Sequence, residues 1–203
     1  YGNPAMTGAF TMAPLVHARC GFVPLAERIK RKVKVPVITV GRIEPEDGER
    51  LIAEGKADFI AMARKLVADP ELPKKLAEGR AESIRPCIAC YTCVGEIFLN
   101  RPLICAANPL AGKEHEITIA PAKARKRVLV VGGGPAGMEA ARTATSRGHE
   151  VILCEKGDRL GGTLFFASIL YPDNERLLDW LRSQVSTLPI EVRLNTEVTP
   201  SLV

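Results

Sequence analysis

Four cysteines, Cys87, Cys90, Cys93 and Cys105, fall within nineteen residues as C-x2-C-x2-C-x11-C. Three thiolates two residues apart on an irregular loop can wrap three corners of a compact cubane, and a later thiolate closes the fourth. A zinc ribbon instead holds two C-x2-C pairs well separated along the chain. The spacing predicts a [4Fe-4S] cluster and one-electron chemistry, ahead of structural zinc or inert thiols. Six cysteines in all, four of them in ligand spacing, fit a reducing compartment, so a cytoplasmic location is expected. Cys154 ends the apolar run Val151-Ile-Leu-Cys154 and reads as a small buried hydrophobe.

A second constellation is Gly132-Gly-Gly134-Pro-Ala-Gly137, which follows the apolar run Val128-Leu-Val-Val131. Placed between a strand and a helix, such glycines bind a dinucleotide. Gly132 permits the tight turn, Gly134 lets a pyrophosphate approach the backbone, and Gly137 lets the helix pack close to the strand. Pro135 and Ala136 start that helix, whose unpaired N–H groups and positive dipole end attract phosphate. Glu155 follows eighteen residues after Gly137, at a second strand's end, where its carboxylate can accept ribose hydroxyls and repel a 2′-phosphate.

A third pair of signals is Gly41-Arg42 and Ala63-Arg64, each at the end of an apolar segment, Val35 to Val40 and Ala57 to Met62. Two arginines one strand-and-helix unit apart, each after a small residue, emerge on the same face. If these are the last two strands of a barrel, they stand where phosphate sites recur.

The elements that must position these residues are legible as periodicities. Phe22, Leu25, Ala26, Ile29 and Val33 recur at helical intervals, leading to a strand over Val35 to Val40. Two similar strand-turn-helix units, Val35 to Gly55 and Ala57 to Gly79, repeat with a period near 22 and imply a parallel α/β architecture. Residues 1 to 20 read as a long loop. Since a complete barrel requires eight such units, the chain reads as truncated at its start. Residues 81 to 121 hold the cysteines among prolines and show little regular pattern. From Arg127 a strand, glycine turn, helix to about Arg147 and strand Glu150 to Cys154 make a Rossmann-type start. A helix through Leu177, Leu178, Leu181, Val185 and Leu188 and a strand alternating at Ile190, Val192 and Leu194 follow. The expected fold is therefore α/β in three parts: residues 1–80 as the C-terminal end of a TIM (β/α)8 barrel, 81–121 as a cysteine-rich iron–sulfur loop, and 122–203 as the start of a Rossmann-type domain.

Bulk properties narrow the partners. The 203 residues carry 46% apolar side chains and a formal net charge of +5, with mean hydropathy +0.05. A four-thiolate cluster and phosphate-bearing cofactors supply the balancing negative charge. The basic runs at Lys30-Arg31-Lys32 and Lys123 to Arg127 lack interleaved aromatics, which argues against nucleic acid. No apolar run reaches the roughly 20 residues of a membrane span, and no leader opens the chain. The three histidines are scattered singly and suggest no triad or metal site.

In order, Pro36-Val-Ile-Thr-Val-Gly41-Arg42, Ala61-Met-Ala-Arg64, Ala68-Asp-Pro70, the four cysteines and Val131-Gly-Gly-Gly-Pro-Ala-Gly137 run through essentially the whole chain. The sequence resembles the family of 2,4-dienoyl-CoA reductase, 2-enoate reductase and trimethylamine dehydrogenase, old-yellow-enzyme-like NADH:flavin oxidoreductases. The resemblance implies FMN in the barrel, a [4Fe-4S] cluster beside it, and FAD or ADP in the C-terminal domain. By position, Gly41, Arg42, Ala63 and Arg64 would surround the FMN phosphate, Cys87, Cys90, Cys93 and Cys105 the cluster, and Gly132, Gly134, Gly137 and Glu155 the dinucleotide. Gly161-Gly162 resembles the glycine pair of the FAD-binding members. The implied activity passes electrons from NAD(P)H through FAD and cluster to FMN, which reduces an activated C=C bond of an enoate or enoyl-CoA. Amine dehydrogenation with ADP at the second site, and an electron-transfer segment without its own substrate site, are the alternatives. No catalytic acid is assignable from these residues; a homo-oligomer is compatible with them.

Overall fold

Prolines at or near the first helical position, where φ is preset and no donor is lost, begin several of the helices, and parallel strands lie between them. The computed structural model describes residues 12–200. Helix α1 (Val23–Lys30) leads to strand β1 (Ile38–Thr39), helix α2 (Pro45–Ala53), strand β2 (Phe59–Ile60) and the short helices α3 (Ala63–Ala68) and α4 (Leu72–Ala77). A 3-10 turn at Ala81–Ser83 and helix α5 (Thr92–Phe98) follow. Then come β3 (Arg127–Val131), α6 (Pro135–Ser146), β4 (Glu150–Cys154), α7 (Thr163–Leu170), α8 (Pro172–Thr187) and β5 (Ile190–Arg193). The described residues make an α/β molecule with two parallel sheets. β1 pairs β2, Ile38 opposite Phe59; β4 lies between β3 and β5, with Val131 opposite Cys154 and Cys154 opposite Arg193.

Several expectations are refined. The strands at 35–40 and 57–62 shrink to two residues each, because among the described residues each has only the other as a ladder partner. The second unit's helix divides into α3 and α4 at Asp69-Pro70, since Pro70 cannot continue a helix. In α1 Val23 and Ala26 are buried, while Leu25 and Ile29 are more than half exposed, so the apolar stripe is narrower than its spacing suggests. Residues 81–121, expected to hold little regular pattern, contain α5 directly after Tyr91. The loop reading of residues 1 to 20 falls partly outside the described residues; within them, 15–16 and 19–22 form turns.

The larger core joins Met138 and Ala141 of α6, Val151 and Leu153 of β4, and Leu177, Leu178, Trp180, Leu181 and Val185 of α8, with Ile88 and Cys105 packed against it. Fully burying a side chain of this size stabilises by about 1.5–3 kcal/mol. The cysteine segment is thus seated on the half built around the three-stranded sheet. Cys154 is 1% exposed, as its apolar run implied. A smaller core joins Val23, Ile43 and Leu51. Among the described residues no helix is long and apolar enough to cross a membrane.

Candidate functional site

Strands β1 and β2 end side by side, so Gly41-Arg42 and Ala63-Arg64 leave the sheet at one edge. All four line a single cavity of about 350 Å³, together with Cys87 and Cys93, within the size range of cofactor sites. Gly41 has φ +115°, and a Cβ there would lie 2.7 Å from the Phe22 ring. Arg42 itself has φ +50°, a left-handed conformation that surrounding contacts must hold. Those contacts consume its guanidinium. Nη1 donates to the carbonyls of Leu15 at 2.5 Å, Pro14 at 3.3 Å and His17, and Nη2 pairs with the buried Asp173 carboxylate.

Arg64 is less fully committed. Nη2 donates to the carbonyls of Met12 and Ala13 at 2.7 and 2.8 Å, and the guanidinium carbon lies 5.2 Å from the Tyr91 ring centroid. Nη1 is buried without a hydrogen-bond partner. An unpaired buried donor on a charged group is costly, and this one stands beside a cofactor-sized cavity.

All four expected cluster ligands line one recess with Arg64 and Tyr91. Ala89 and Tyr91, at φ +50° and +66°, put left-handed turns on both sides of Cys90 and curl the loop around that recess. Among the described residues no three His, Cys, Asp or Glu side chains converge as ligands of a single metal ion. The donor set nevertheless suits a cationic cluster. Burial raises the Cys93 thiol pKa, and Cys105 and Cys90 raise it further; burial raises that of Cys87, with Cys105 adding to it. Thiols that oppose each other's ionisation need positive charge at their centre to become thiolates together.

The glycine turn is placed as expected between β3 and α6. A Cβ on Gly137 would lie 1.9 Å from the Gly132 carbonyl oxygen, whereas one on Gly134 would meet nothing within 4 Å. Helix and strand therefore touch at Gly137 while Gly134 stays open for approach. Pro135 and Ala136 form the first turn of α6. Glu155 lies against the turn: its carboxylate accepts from the Gly133 N–H at 2.6 Å and the Gly157 N–H at 2.8 Å. Those N–H groups, Gly157 foremost, hold its carboxyl below the usual range. Each oxygen keeps a further lone pair for a ligand hydroxyl. Gly162 packs on Gly134, where an added Cβ would stand 3.1 Å from its Cα, and Gly161 N–H donates to the Gly133 carbonyl at 2.8 Å.

Buried charges join the two halves. Arg176 of α8 grips Glu44 bidentately at 3.0 and 2.8 Å, and Lys65 reaches the same carboxylate at 2.5 Å. Burial alone would raise the Glu44 carboxyl, but Arg176 and Lys65 hold it down to about 2. Arg85 donates its backbone N–H to Asp69 at 2.8 Å and its guanidinium to Glu139 at 3.0 Å, and stacks 4.5 Å above Trp180. Sequence reasoning missed Glu44, Tyr91, Gly133 and Asp173. For Gly133 the signal was present as a third consecutive glycine; a Cβ there would lie 2.4 Å from the Leu160 side chain. The others look like ordinary helix-end or loop residues until the chain folds.

Comparison with known proteins gives two family matches: residues 4–83 match the NADH:flavin oxidoreductase / NADH oxidase family, and residues 127–188 match FAD dependent oxidoreductase. An NADH oxidase of Thermoanaerobacter brockii is 53% identical over 180 residues, 84% of this chain and 27% of the relative. A cinnamate reductase of Clostridium sporogenes is 40% identical over 186 residues, 90% and 28% of the two chains. The solved histamine dehydrogenase from Rhizobium sp. 4-9 superposes with a TM-score of 0.87 at 32% identity, covering 94% of this chain and 29% of the other. The chain thus spans less than a third of each of these relatives.

Proposed function

Through residues 4–83 the chain belongs to the NADH:flavin oxidoreductase / NADH oxidase family, and on that premise we propose that it is the joint of an iron–sulfur flavoprotein reductase. In this reading 1–80 is the end of an FMN-binding barrel, 81–121 the [4Fe-4S] segment and 122–203 part of an FAD- or NAD(P)-binding Rossmann-type domain. When bound, FAD, the cluster and FMN would supply stepwise electron transfer from NAD(P)H to an activated C=C bond of an enoate or enoyl-CoA.

One observation carries this reading: the cavity at the strand ends and the recess of the four cysteines share Arg64, Cys87, Ala89 and Cys93 as a common wall. Groups held in these two spaces would be neighbours, as one-electron exchange requires. The residues divide the remaining work. Arg64, with Gly41 and Ala63 at the strand ends, would hold an FMN phosphate, and Arg42 would brace that edge through Asp173. Val94, Ile97 and Leu103, which also line the cavity, would keep water from it. Gly134 and the start of α6 would take a pyrophosphate, with Glu155 orienting the ribose and Gly161-Gly162 backing the turn.

The structural likeness to histamine dehydrogenase supports a second reading, in which an amine is the electron donor and the second site holds ADP. Anaerobically purified full-length protein decides between them. Iron, acid-labile sulfide, FMN and FAD, with rapid flavin bleaching by NADH or NADPH, are the expected results for the reductase. FMN with ADP and bleaching only by an amine would assign the dehydrogenase. Stoichiometric zinc without sulfide would sink both.

A further inference from the structure

The Arg64 guanidinium is the strand-end charge that faces both spaces. Arg42 lines the cavity alone and is consumed by three carbonyls and Asp173. Arg64 lines the cavity and the cysteine recess together. Its Nη2 is pinned by the Met12 and Ala13 carbonyls, yet its buried Nη1 meets no protein acceptor. The described contacts include no carboxylate against it, so its full charge acts on whatever lies beside it. A ring supports it as well. Tyr91 stands 5.2 Å beneath the guanidinium, a distance at which a desolvated cation and an aromatic face attract by about 2 kcal/mol. Tyr91 reaches that position through its left-handed backbone at φ +66°, between Cys90 and Cys93. The loop that carries the thiols therefore also carries the platform for the cation.

We propose that Arg64 sets the reduction potential of the group bound by the four cysteines, and that Tyr91 is the positioning residue that holds it against that group. The inference rests on the cluster reading above. A fixed positive charge at close range stabilises the more negative, reduced form. Arg64 shares the walls of both spaces with Cys87 and Cys93, which places its charge beside those thiols.

The test is redox titration of the full-length holoprotein followed by the low-temperature EPR signal of the reduced cluster, with iron, sulfide and FMN measured in each sample. Arg64→Met is expected to disfavour reduction at least tenfold, about 59 mV for one electron. Arg64→Lys, which keeps the charge, is expected to recover most of that shift. Tyr91→Leu removes the platform while keeping the Arg64 residue and is expected to shift the midpoint in the same direction by less; Tyr91→Phe is expected to titrate like the parent. FMN content reads a phosphate role of Arg64 separately, and should Arg64→Met fail to load iron, the Tyr91 pair decides the matter. Iron-loaded Arg64→Met and Tyr91→Leu proteins with the parent's midpoint would overturn the inference while leaving the cluster reading intact. A parent protein without iron and sulfide would remove both.

Discussion

A Cβ on Gly137 meets the Gly132 carbonyl oxygen at 1.9 Å, while one on Gly134 meets nothing, so two glycines three residues apart should respond differently to the same methyl group. Gly137→Ala must force α6 away from β3 and is expected to cost about 3 kcal/mol, seen as a lower unfolding midpoint and loss of bound FAD. Gly134→Ala is expected to cost no more than about 1 kcal/mol, the difference between a glycine and an alanine N-cap, yet to weaken nucleotide binding in calorimetric titration. Equal stability loss in both would mean that the turn is not a nucleotide cradle. The cysteines permit a parallel comparison. Cys93→Ser removes a proposed cluster ligand at the recess and is expected to strip iron and sulfide, whereas Cys154→Ala, in the core of β4 and away from the recess, should leave both unchanged.

At the scale of elements, the start of α2 and the start of α8 are tied through Glu44 and Arg176. Glu44 titrates at about 2 against an ordinary 4.5. A carboxyl held low in the fold stabilises it fully above about 4.5, and that contribution is lost as pH falls through the folded value. The shift corresponds to about 3 kcal/mol. Glu44→Gln should therefore lower stability to urea at pH 7, with the gap to the parent narrowing as pH is taken from 5 towards 2. A gap that stays constant across that range would show that the Glu44 ion pairs contribute nothing. The spacing of apolar residues identified the two strand-and-helix units and the helix containing Leu177 because burial of one face imposes that periodicity. It did not reveal α5, α7 or the division at Asp69. Short helices beside a turn bury too few residues to leave a period, and α7 is apolar nearly all round.

For the molecule as a whole, Arg85 is the bolt between the half that carries the two-stranded sheet and the half that carries the three-stranded sheet. It is buried, and burial lowers its pKa, while Glu139 acts in the opposite sense. Removing one partner of such a pair typically costs 3–5 kcal/mol. Here Arg142 still pairs with Glu139 at 2.7 Å, so about 2–3 kcal/mol is expected for Arg85→Leu. Scanning calorimetry should then resolve two unfolding transitions in place of one. A single transition at the parent's midpoint would show that apolar packing alone couples the halves.

The order of motifs along the chain was enough to identify an α/β flavoprotein segment with clustered thiols, because ligand spacing, glycine turns and apolar periodicity are local properties that neighbouring residues impose on one another. Gly137 and Cys154 could be placed from their immediate context alone. The tertiary structure decided what lies next to what across the molecule. Arg42 and Arg64 look equivalent as residues, each following a small one at a strand end. Only folding brings Asp173, 131 residues away, onto Arg42 and leaves Nη1 of Arg64 without an acceptor beside Tyr91. Partners so distant in sequence are chosen by packing and burial, and no local pattern records that choice.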